Sequence, residues 1–131
     1  MITEEDCFFC KSEPNDLSES GNFYARLDHF PVSRGHTHIV PRQHIVSFFD
    51  LAPEQVAEMY DLMRSIYDWL VHRYKPDAFT IGINDGAAAG RTVNHLHVHL
   101  IPRYTGDVPD PRGGIRNIFP DAPDPDQWSR S

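Results

Sequence analysis

Three histidines alternate with aliphatic residues in one short stretch of the chain. Residues 95–100 read His-Leu-His-Val-His-Leu, so an imidazole occupies every second position. Strict alternation is the period of a β-strand and predicts a strand over about residues 94–101. The aliphatic face is expected to pack on a core. The face with His95, His97 and His99 is expected to line a polar cleft, because three neighbouring imidazoles do not suit a hydrocarbon core. Imidazole can act there as a nucleophile, a proton carrier or a metal ligand.

Length and composition limit what kind of protein this is. The 131 residues suffice for one domain with a hydrophobic core, and 40% of them are hydrophobic. A formal net charge of −7 disfavours a nucleic-acid partner, whose backbone attracts Lys and Arg, but it permits a small phosphorylated ligand. No apolar run approaches the ~20 residues of a membrane helix, and the acidic N-terminal residues do not resemble a secretory signal. We therefore expect a cytoplasmic protein without a membrane partner.

The rest of the sequence predicts an α+β fold with an antiparallel sheet of about five strands, one long helix and a short one. Residues 22–28, 36–41 and 78–84 have strand patterns. A long helix is predicted from about Pro53 to about Tyr74, because proline suits the first helical position and apolar residues recur at three- and four-residue spacing. This apolar stripe comprises Val56, Met59, Tyr60, Met63, Ile66, Tyr67 and Leu70. Since only one long helix is available, α+β is favoured over a doubly wound fold.

The segments between these elements are predicted to be less regular. Residues 42–50 are expected to form a short irregular or helical link that buries Phe48 and Phe49, and residues 114–119 a short extended piece. We expect one domain over residues 1–120, with an N-terminal arm over 1–21. A Pro/Asp-rich tail over residues 121–131 cannot form a helix or a central strand, and Trp128 is its candidate anchor.

The arm carries the two cysteines of the chain, Cys7 and Cys10, in the sequence Cys-Phe-Phe-Cys. A structural disulfide is disfavoured in a reducing compartment. A redox Cys-x-x-Cys usually belongs to a βαβ unit, which this position lacks. Half of a zinc site is the better interpretation, provided that two further ligands exist.

The triad region resembles the histidine triad (HIT) family, whose pattern is His-φ-His-φ-His-φ-φ with φ hydrophobic. Residues 95–101 fit this pattern, and Gly-Arg-Thr-Val at 90–93 is similar to the family's Gly-Gln-Ser/Thr-Val. Residues 35–41 resemble its Gly-His strand that ends in proline, and residues 106–120 resemble the same region of bacterial members. The resemblance runs from residue 7 to about residue 120. It implies an antiparallel sheet with one long helix, a two-fold dimer and nucleotide binding.

The resemblance also implies catalytic roles. The middle histidine, His97, would attack an α-phosphate, and the nucleotidyl-imidazole intermediate would then be split by water. His99 would orient the phosphate and assist the leaving group. His95 belongs to the same triad, and His36 would support it from the neighbouring strand.

Four further residues would bind the substrate. Asn84 would hydrogen-bond near the scissile phosphate, Thr92 would hold phosphate oxygens, and Asp28 would grip the ribose. Each has an ordinary structural alternative in a turn or strand. Arg91 replaces the family's usual glutamine, so it is predicted either to bind a longer polyphosphate or to point away and pair with an acid.

The resemblance extends to zinc, because some HIT proteins carry an N-terminal Cys-x-x-Cys. The implied ligands of a structural Zn²⁺ are Cys7, Cys10, His44 and His95. His29, His38 and His72 receive no role and are interpreted as surface or satisfied core residues.

Three functions follow in order of preference. The first is a homodimeric enzyme that cleaves a nucleoside phosphoramidate or a dinucleoside polyphosphate at the α-phosphate, with a purine nucleotide as partner and no organic cofactor. The second is a nucleotide-binding sensor or adaptor with little turnover. The third is a metal-dependent hydrolase with His95, His97 and His99 as ligands.

Overall fold

The described chain folds into one antiparallel sheet covered on one face by a long helix. The structure is a computed structural model that describes residues 7–13 and 16–125, so Trp128 lies outside the described residues. The strands are β1 (Asp16–Glu19), β2 (Phe23–Leu27), β3 (Thr37–Pro41), β4 (Ala78–Gly82) and β5 (Val98–Arg103), and the helix is α1 (Pro53–Tyr74). The five strands follow the order β1-β2-β3-β5-β4 with antiparallel neighbours. The predicted α+β fold is therefore confirmed.

Helix α1 begins and ends where the sequence predicts. Pro53 takes the first helical position, and the Gln55 side chain accepts a hydrogen bond of 2.8 Å from the Ala52 backbone N–H. At the other end, Lys75 adopts a left-handed conformation with φ of 51° and precedes Pro76, which cannot continue a helix. No described helix is both long and apolar enough to cross a membrane.

The two faces of the sheet differ in chemistry because side chains alternate along each strand. The face toward α1 forms the main core, whose buried residues are Phe23, Ala25, Ile39, Met59, Leu62, Ile66, Leu70, Val98 and Leu100. The predicted helix stripe is partly wrong: Leu62 is buried, whereas Tyr60 and Tyr67 are 59% and 39% exposed. His38 of β3 and His99 of β5 lie on the opposite face of the sheet.

Four local predictions need correction. Strand β5 begins at Val98 rather than near residue 94, because the Leu96 backbone N–H donates to the Ile45 carbonyl of a loop and not to a strand. Residues 114–118 form a 3-10 helix instead of an extended piece. Phe49 is 84% exposed although it was expected to be buried. The arm contributes strand β1, which its polar composition did not indicate.

One buried arginine attaches the Cys-x-x-Cys segment to the sheet. Arg26 of β2 is fully buried and pairs with Asp16 at 2.7 Å. Its guanidinium also donates to the backbone carbonyls of Phe8 and Lys11. Because a buried charge is stable only when it is paired and hydrogen-bonded, these contacts hold residues 8–11 against the histidine face.

Candidate functional site

The candidate site is a cluster of imidazoles on neighbouring strands. In the β3–β5 register His38 stands opposite His99. The ring centres of His36 and His97 lie 5.3 Å and 5.2 Å from that of His38. His36 Nε2 lies 3.0 Å from His99 Nδ1, and the His97 and His99 ring centres lie 5.1 Å apart. Gly35 permits this arrangement, because it has φ of 89° and a Cβ there would lie 3.0 Å from Leu70. The prediction that His36 lies beside the triad agrees with this geometry.

His97 is oriented with one nitrogen available for chemistry. Its Nδ1 lies 2.7 Å from the His95 backbone carbonyl, which can only accept, so Nδ1 carries the proton and Nε2 keeps its lone pair. Burial lowers the pKa of His97, and the hydrogen bond to His95 offsets only part of this effect. The Phe9 ring lies 4.6 Å from the His97 ring at an angle of 31°. His97 is thus a neutral imidazole with a fixed tautomer.

The His97 side chain lines a cavity of about 360 Å³ between the arm and the sheet. Phe8 and Phe9 form an apolar wall of this cavity, and Asp28, Thr92 and His99 also line it. An apolar wall beside a few polar groups is typical of a small-molecule site. Thr92 therefore lies where its predicted phosphate contact requires, although the contact itself stays a prediction.

Asp28 faces the histidines. Its Oδ2 lies 2.9 Å from His38 Nε2 and 3.5 Å from His36 Nδ1, while Oδ1 accepts a 2.7 Å hydrogen bond from the Phe30 backbone N–H. Burial raises the pKa of Asp28, but the Phe30 N–H and the histidines lower it more, so the net pKa lies below its ordinary value. Asp28 is therefore an anion at the cavity wall, and a ribose contact would compete with these partners.

Asn84 lies on the other side of His99. It lines a wider groove of about 1130 Å³ together with His36, His99 and the 3-10 segment near Ile118. His99 thus separates a cavity that contains Thr92 from a groove that contains Asn84. A phosphate bound at His99 could be approached from both sides, as the predicted roles require.

Arg91 is turned away from solvent and toward an acid. Its side chain is 5% exposed, and its guanidinium donates to the Val46 carbonyl and, at 3.2 Å, to Asn94 Oδ1. It also lies 3.7 Å from Asp85. Of the two predicted alternatives, pairing with an acid is the one seen in the structure.

The ligand atoms of the four predicted zinc-binding residues lie within 4.8 Å of one another. Cys7 Sγ lies 3.2 Å from His95 Nδ1, and Cys10 Sγ lies 3.3 Å from His44 Nδ1 and 3.4 Å from His95 Nδ1. Zinc bonds of about 2.3 Å to sulfur and 2.0–2.1 Å to nitrogen separate two tetrahedral ligands by about 3.6 Å, so the set fits the ion. His95 Nε2 lies 2.8 Å from the Pro41 carbonyl, which leaves Nδ1 free to bind a metal. Neither cysteine is in a disulfide.

His38 is the site residue that the sequence interpretation missed. It is 6% exposed, its ring centre lies 5.2 Å from that of His97 and 4.8 Å from that of His99, and burial lowers its pKa to about 3. The signal was present, because His36 and His38 repeat the two-residue spacing of the triad on a predicted strand. By contrast, His72 is exposed on α1, as expected.

The fold and the site together define a small α+β protein. Its buried His97 is held in one orientation beside a cavity of the size that a small molecule occupies. The HIT domain family matches residues 12–106, and the chain belongs to this family. An uncharacterised HIT-like protein of Mycobacterium tuberculosis is 37% identical over 106 residues, which cover 77% of this chain and 74% of that protein. The adenylylsulfatase HINT3 of Arabidopsis thaliana is 35% identical over 109 residues, which cover 79% of this chain and 55% of the relative.

A solved structure extends the similarity to almost the whole chain. A Zn-bound histidine triad family protein from Mycobacterium smegmatis is 33% identical, with a TM-score of 0.69. The match covers 98% of this chain and 91% of that one. The family resemblance stated from the triad motif is thereby confirmed.

Proposed function

We propose that this protein is a nucleotidyl hydrolase or transferase that cleaves its substrate at the α-phosphate through a covalent intermediate on His97. The observation that carries the proposal is the hydrogen bond from His97 Nδ1–H to the His95 carbonyl, which leaves Nε2 as an uncharged nucleophile. Family membership and a relative named an adenylylsulfatase support the same reaction class.

The proposed reaction has two displacements. His97 Nε2 forms a bond to the α-phosphorus while the bond from phosphorus to the leaving group breaks, and the leaving group takes up a proton. Water then attacks the same phosphorus and gives a proton to His99, which replaces the proton passed to the leaving group; the P–N bond breaks, and the nucleoside monophosphate leaves with His97 restored. His99, 5.1 Å from His97 between ring centres, lies where it can orient the phosphate and pass a proton to the leaving group. Thr92 and Asn84 would hold phosphate oxygens on either side of it.

Zinc bound by Cys7, Cys10, His44 and His95 belongs to the same proposal. A four-ligand Cys₂His₂ set is closed, so its contribution is structural. Phe9, which packs on His97, lies between the two cysteines, and the ion would hold this wall of the cavity in place. Metal analysis of protein purified without chelator tests this; the proposal expects about one equivalent of zinc, from the four-ligand set.

The third predicted function, a metal ion shared by the three triad histidines, has less geometric support. His95 points its Nδ1 at the cysteines, whereas His97 directs Nδ1 to a backbone carbonyl. The described residues with donor atoms close enough to share an ion form two groups, and neither contains His97.

The test measures AMP release from three adenylyl compounds: adenylylsulfate, an adenosine phosphoramidate and diadenosine tetraphosphate. The wild type is compared with His97→Ala and with His72→Ala, which removes an exposed histidine of α1. We expect His97→Ala to lose on the order of 10³-fold or more in kcat, as loss of a catalytic nucleophile does, and His72→Ala to match the wild type. Equal activity of the wild type and His97→Ala contradicts the proposal. Tight AMP binding without turnover of any compound favours the sensor function.

A homodimer in the cytoplasm completes the proposal. Exposed apolar side chains border the groove that contains Asn84, namely Ile115, Ile118 and Phe119, which are 58–74% exposed. A contiguous apolar border of this kind is typical of an interaction surface. Light scattering at micromolar concentration should give the mass of two chains, and the mass of one chain contradicts it.

A further inference from the structure

Asp28, His36, His38 and His99 form a second group of metal-ligand atoms that shares no residue with the Cys₂His₂ group. Each offers one nitrogen or oxygen atom, and these four atoms lie within 4.8 Å of one another. The group gathers residues from four places on one sheet face: the end of β2, the approach to β3, β3 itself and β5. We call this set the Asp-His₃ cluster.

His38 is the member that ordinary hydrogen bonding does not explain. Its side chain is 8% exposed, and within the described residues neither of its ring nitrogens has a hydrogen-bond partner. Asp28 Oδ2 lies only 2.9 Å from His38 Nε2, but the direction of approach does not meet hydrogen-bond geometry. A buried polar group without a partner is costly. A cation between the two side chains would satisfy both of them.

Two of the imidazoles are hydrogen-bonded to each other. His36 Nδ1 accepts a 3.3 Å hydrogen bond from the Val32 backbone N–H, so His36 Nε2 carries the proton and donates to His99 Nδ1 at 3.0 Å. An ion bound by both histidines would replace this hydrogen bond. The carboxylate of Asp28 supplies a negative charge to three uncharged imidazoles. This donor set matches the preference of Zn²⁺, Co²⁺ and Cu²⁺ for imidazole nitrogen, and it differs from the all-oxygen sets that suit Mg²⁺ and Ca²⁺.

We propose that the Asp-His₃ cluster is a second transition-metal site, distinct from the Cys₂His₂ site, and that Zn²⁺ bound there inhibits the enzyme. The inhibition rests on the proposed function, in which His99 orients the phosphate and Asp28 contacts the ribose. An ion that engages both residues removes them from the nucleotide, so metal and nucleotide are expected to exclude each other. The metal site itself does not depend on that function.

Spectroscopy with Co²⁺ distinguishes the two sites. Co²⁺ bound by thiolates gives an intense sulfur-to-metal charge-transfer band, whereas Co²⁺ bound by nitrogen and oxygen gives only weaker d–d bands. Protein is first loaded with one equivalent of Zn²⁺ and then titrated with Co²⁺ in the absence of nucleotide. The wild type should bind a further equivalent without a thiolate band.

His38→Leu and His38→Gln are the test variants, and His72→Leu is the matched control. Both His38 variants should lose the second equivalent or bind it at least about 10-fold more weakly, since a ligand is removed. They should keep the first equivalent, and His72→Leu should keep both. Cys10→Ser should lose the metal of the Cys₂His₂ site and keep the metal of the Asp-His₃ cluster. Thermal unfolding of every variant shows that it is folded, and the glutamine variant covers the case in which leucine disturbs packing.

Activity is measured separately, as AMP release with increasing free Zn²⁺ in excess of the first equivalent. Inhibition of the wild type that weakens at least about 10-fold in His38→Leu supports the proposal. The metal-site proposal is overturned if the wild type binds only one equivalent, or if the His38 variants bind the second equivalent as tightly as the wild type. If Zn²⁺ raises the rate of AMP release or leaves it unchanged, the proposed inhibition is wrong. If neither the wild type nor any variant releases AMP, the proposed function is wrong. The Co²⁺ titration still tests whether the Asp-His₃ cluster binds a metal.

Discussion

The role of Arg91, which precedes Thr92 at the cavity, can be tested by substitution. Arg91 replaces the glutamine common in this family, and its side chain is 5% exposed with contacts to the Val46 carbonyl, Asn94 and Asp85. If these contacts are its main role, Arg91→Gln should destabilise the fold and leave substrate binding almost unchanged. If Arg91 instead binds phosphate, the same variant should leave stability unchanged and weaken substrate binding.

The magnitude follows from the contacts that are lost. A hydrogen bond to a charged group contributes about 1.5–3 kcal/mol, and glutamine can replace at most part of this. The Asp85 pair spans 3.7 Å and the carboxylate is 29% exposed, so screening limits its contribution to about 0–1 kcal/mol. We therefore expect Arg91→Gln to lower the free energy of unfolding by about 2–3 kcal/mol. For a domain of this size, Tm should fall by about 6–12 °C.

The assay is urea denaturation of the wild type, Arg91→Gln and Arg64→Gln. Arg64 is a matched control, because its pair with Asp68 lies on the surface of α1 with both side chains at least 60% exposed. The control should change stability by no more than about 0.5 kcal/mol. KM for diadenosine tetraphosphate is measured on the same proteins. Unchanged stability of Arg91→Gln together with a KM raised at least about 10-fold, as loss of a charged phosphate contact would give, refutes the structural role.

Three further predictions concern the walls of the site. Gly35→Ala should lower the free energy of unfolding by about 1–3 kcal/mol in a denaturant titration, because φ is 89° and the new Cβ would lie 3.0 Å from Leu70; a cost within error would contradict this close packing. Phe9→Ala should raise KM for the adenylyl substrates about 3- to 10-fold with little change in kcat, since the ring packs 4.6 Å from His97; an unchanged KM would show that the wall does not contact substrate. In the His38→Leu background, which removes the Asp-His₃ site, Cys10→Ser should reduce bound zinc to below about a tenth of an equivalent and lower Tm; a full equivalent in that double variant would contradict the ligand set.

Much of this architecture could be predicted from sequence because the signals are local. Helix α1 has a proline at its start, periodic apolar residues, and a Lys-Pro pair at its end, so its bounds follow from rules that act within a few residues. The triad alternation likewise placed imidazoles and aliphatic side chains on opposite faces, and burial of Val98 and Leu100 in the core agrees with it. The resemblance to the HIT family grouped the cysteines with His44 and His95, which the structure brings together.

The features that sequence reasoning missed depend on contacts between distant segments. His38 belongs to the site only because β3 pairs with β5, so that it faces His99 across the sheet. The start of β5 depends on a hydrogen bond from Leu96 to the Ile45 loop, and β1 exists because a polar segment pairs with β2 and supplies Asp16 to the buried Arg26. The two-residue spacing of His36 and His38 indicates a shared face, but the pairing of one strand with another has no local sequence signal, since the partner residue decides the conformation.

The stereochemical course at phosphorus tests the covalent intermediate on His97 most directly. An adenylyl substrate with sulfur at one α-phosphate position is turned over in water enriched in heavy oxygen, and the configuration of the resulting AMP phosphorothioate is determined. Two in-line displacements, the first by His97 and the second by water, each invert the phosphorus centre, so we expect net retention. Net inversion would mean that water attacks the substrate directly and would contradict a nucleotidyl-His97 intermediate.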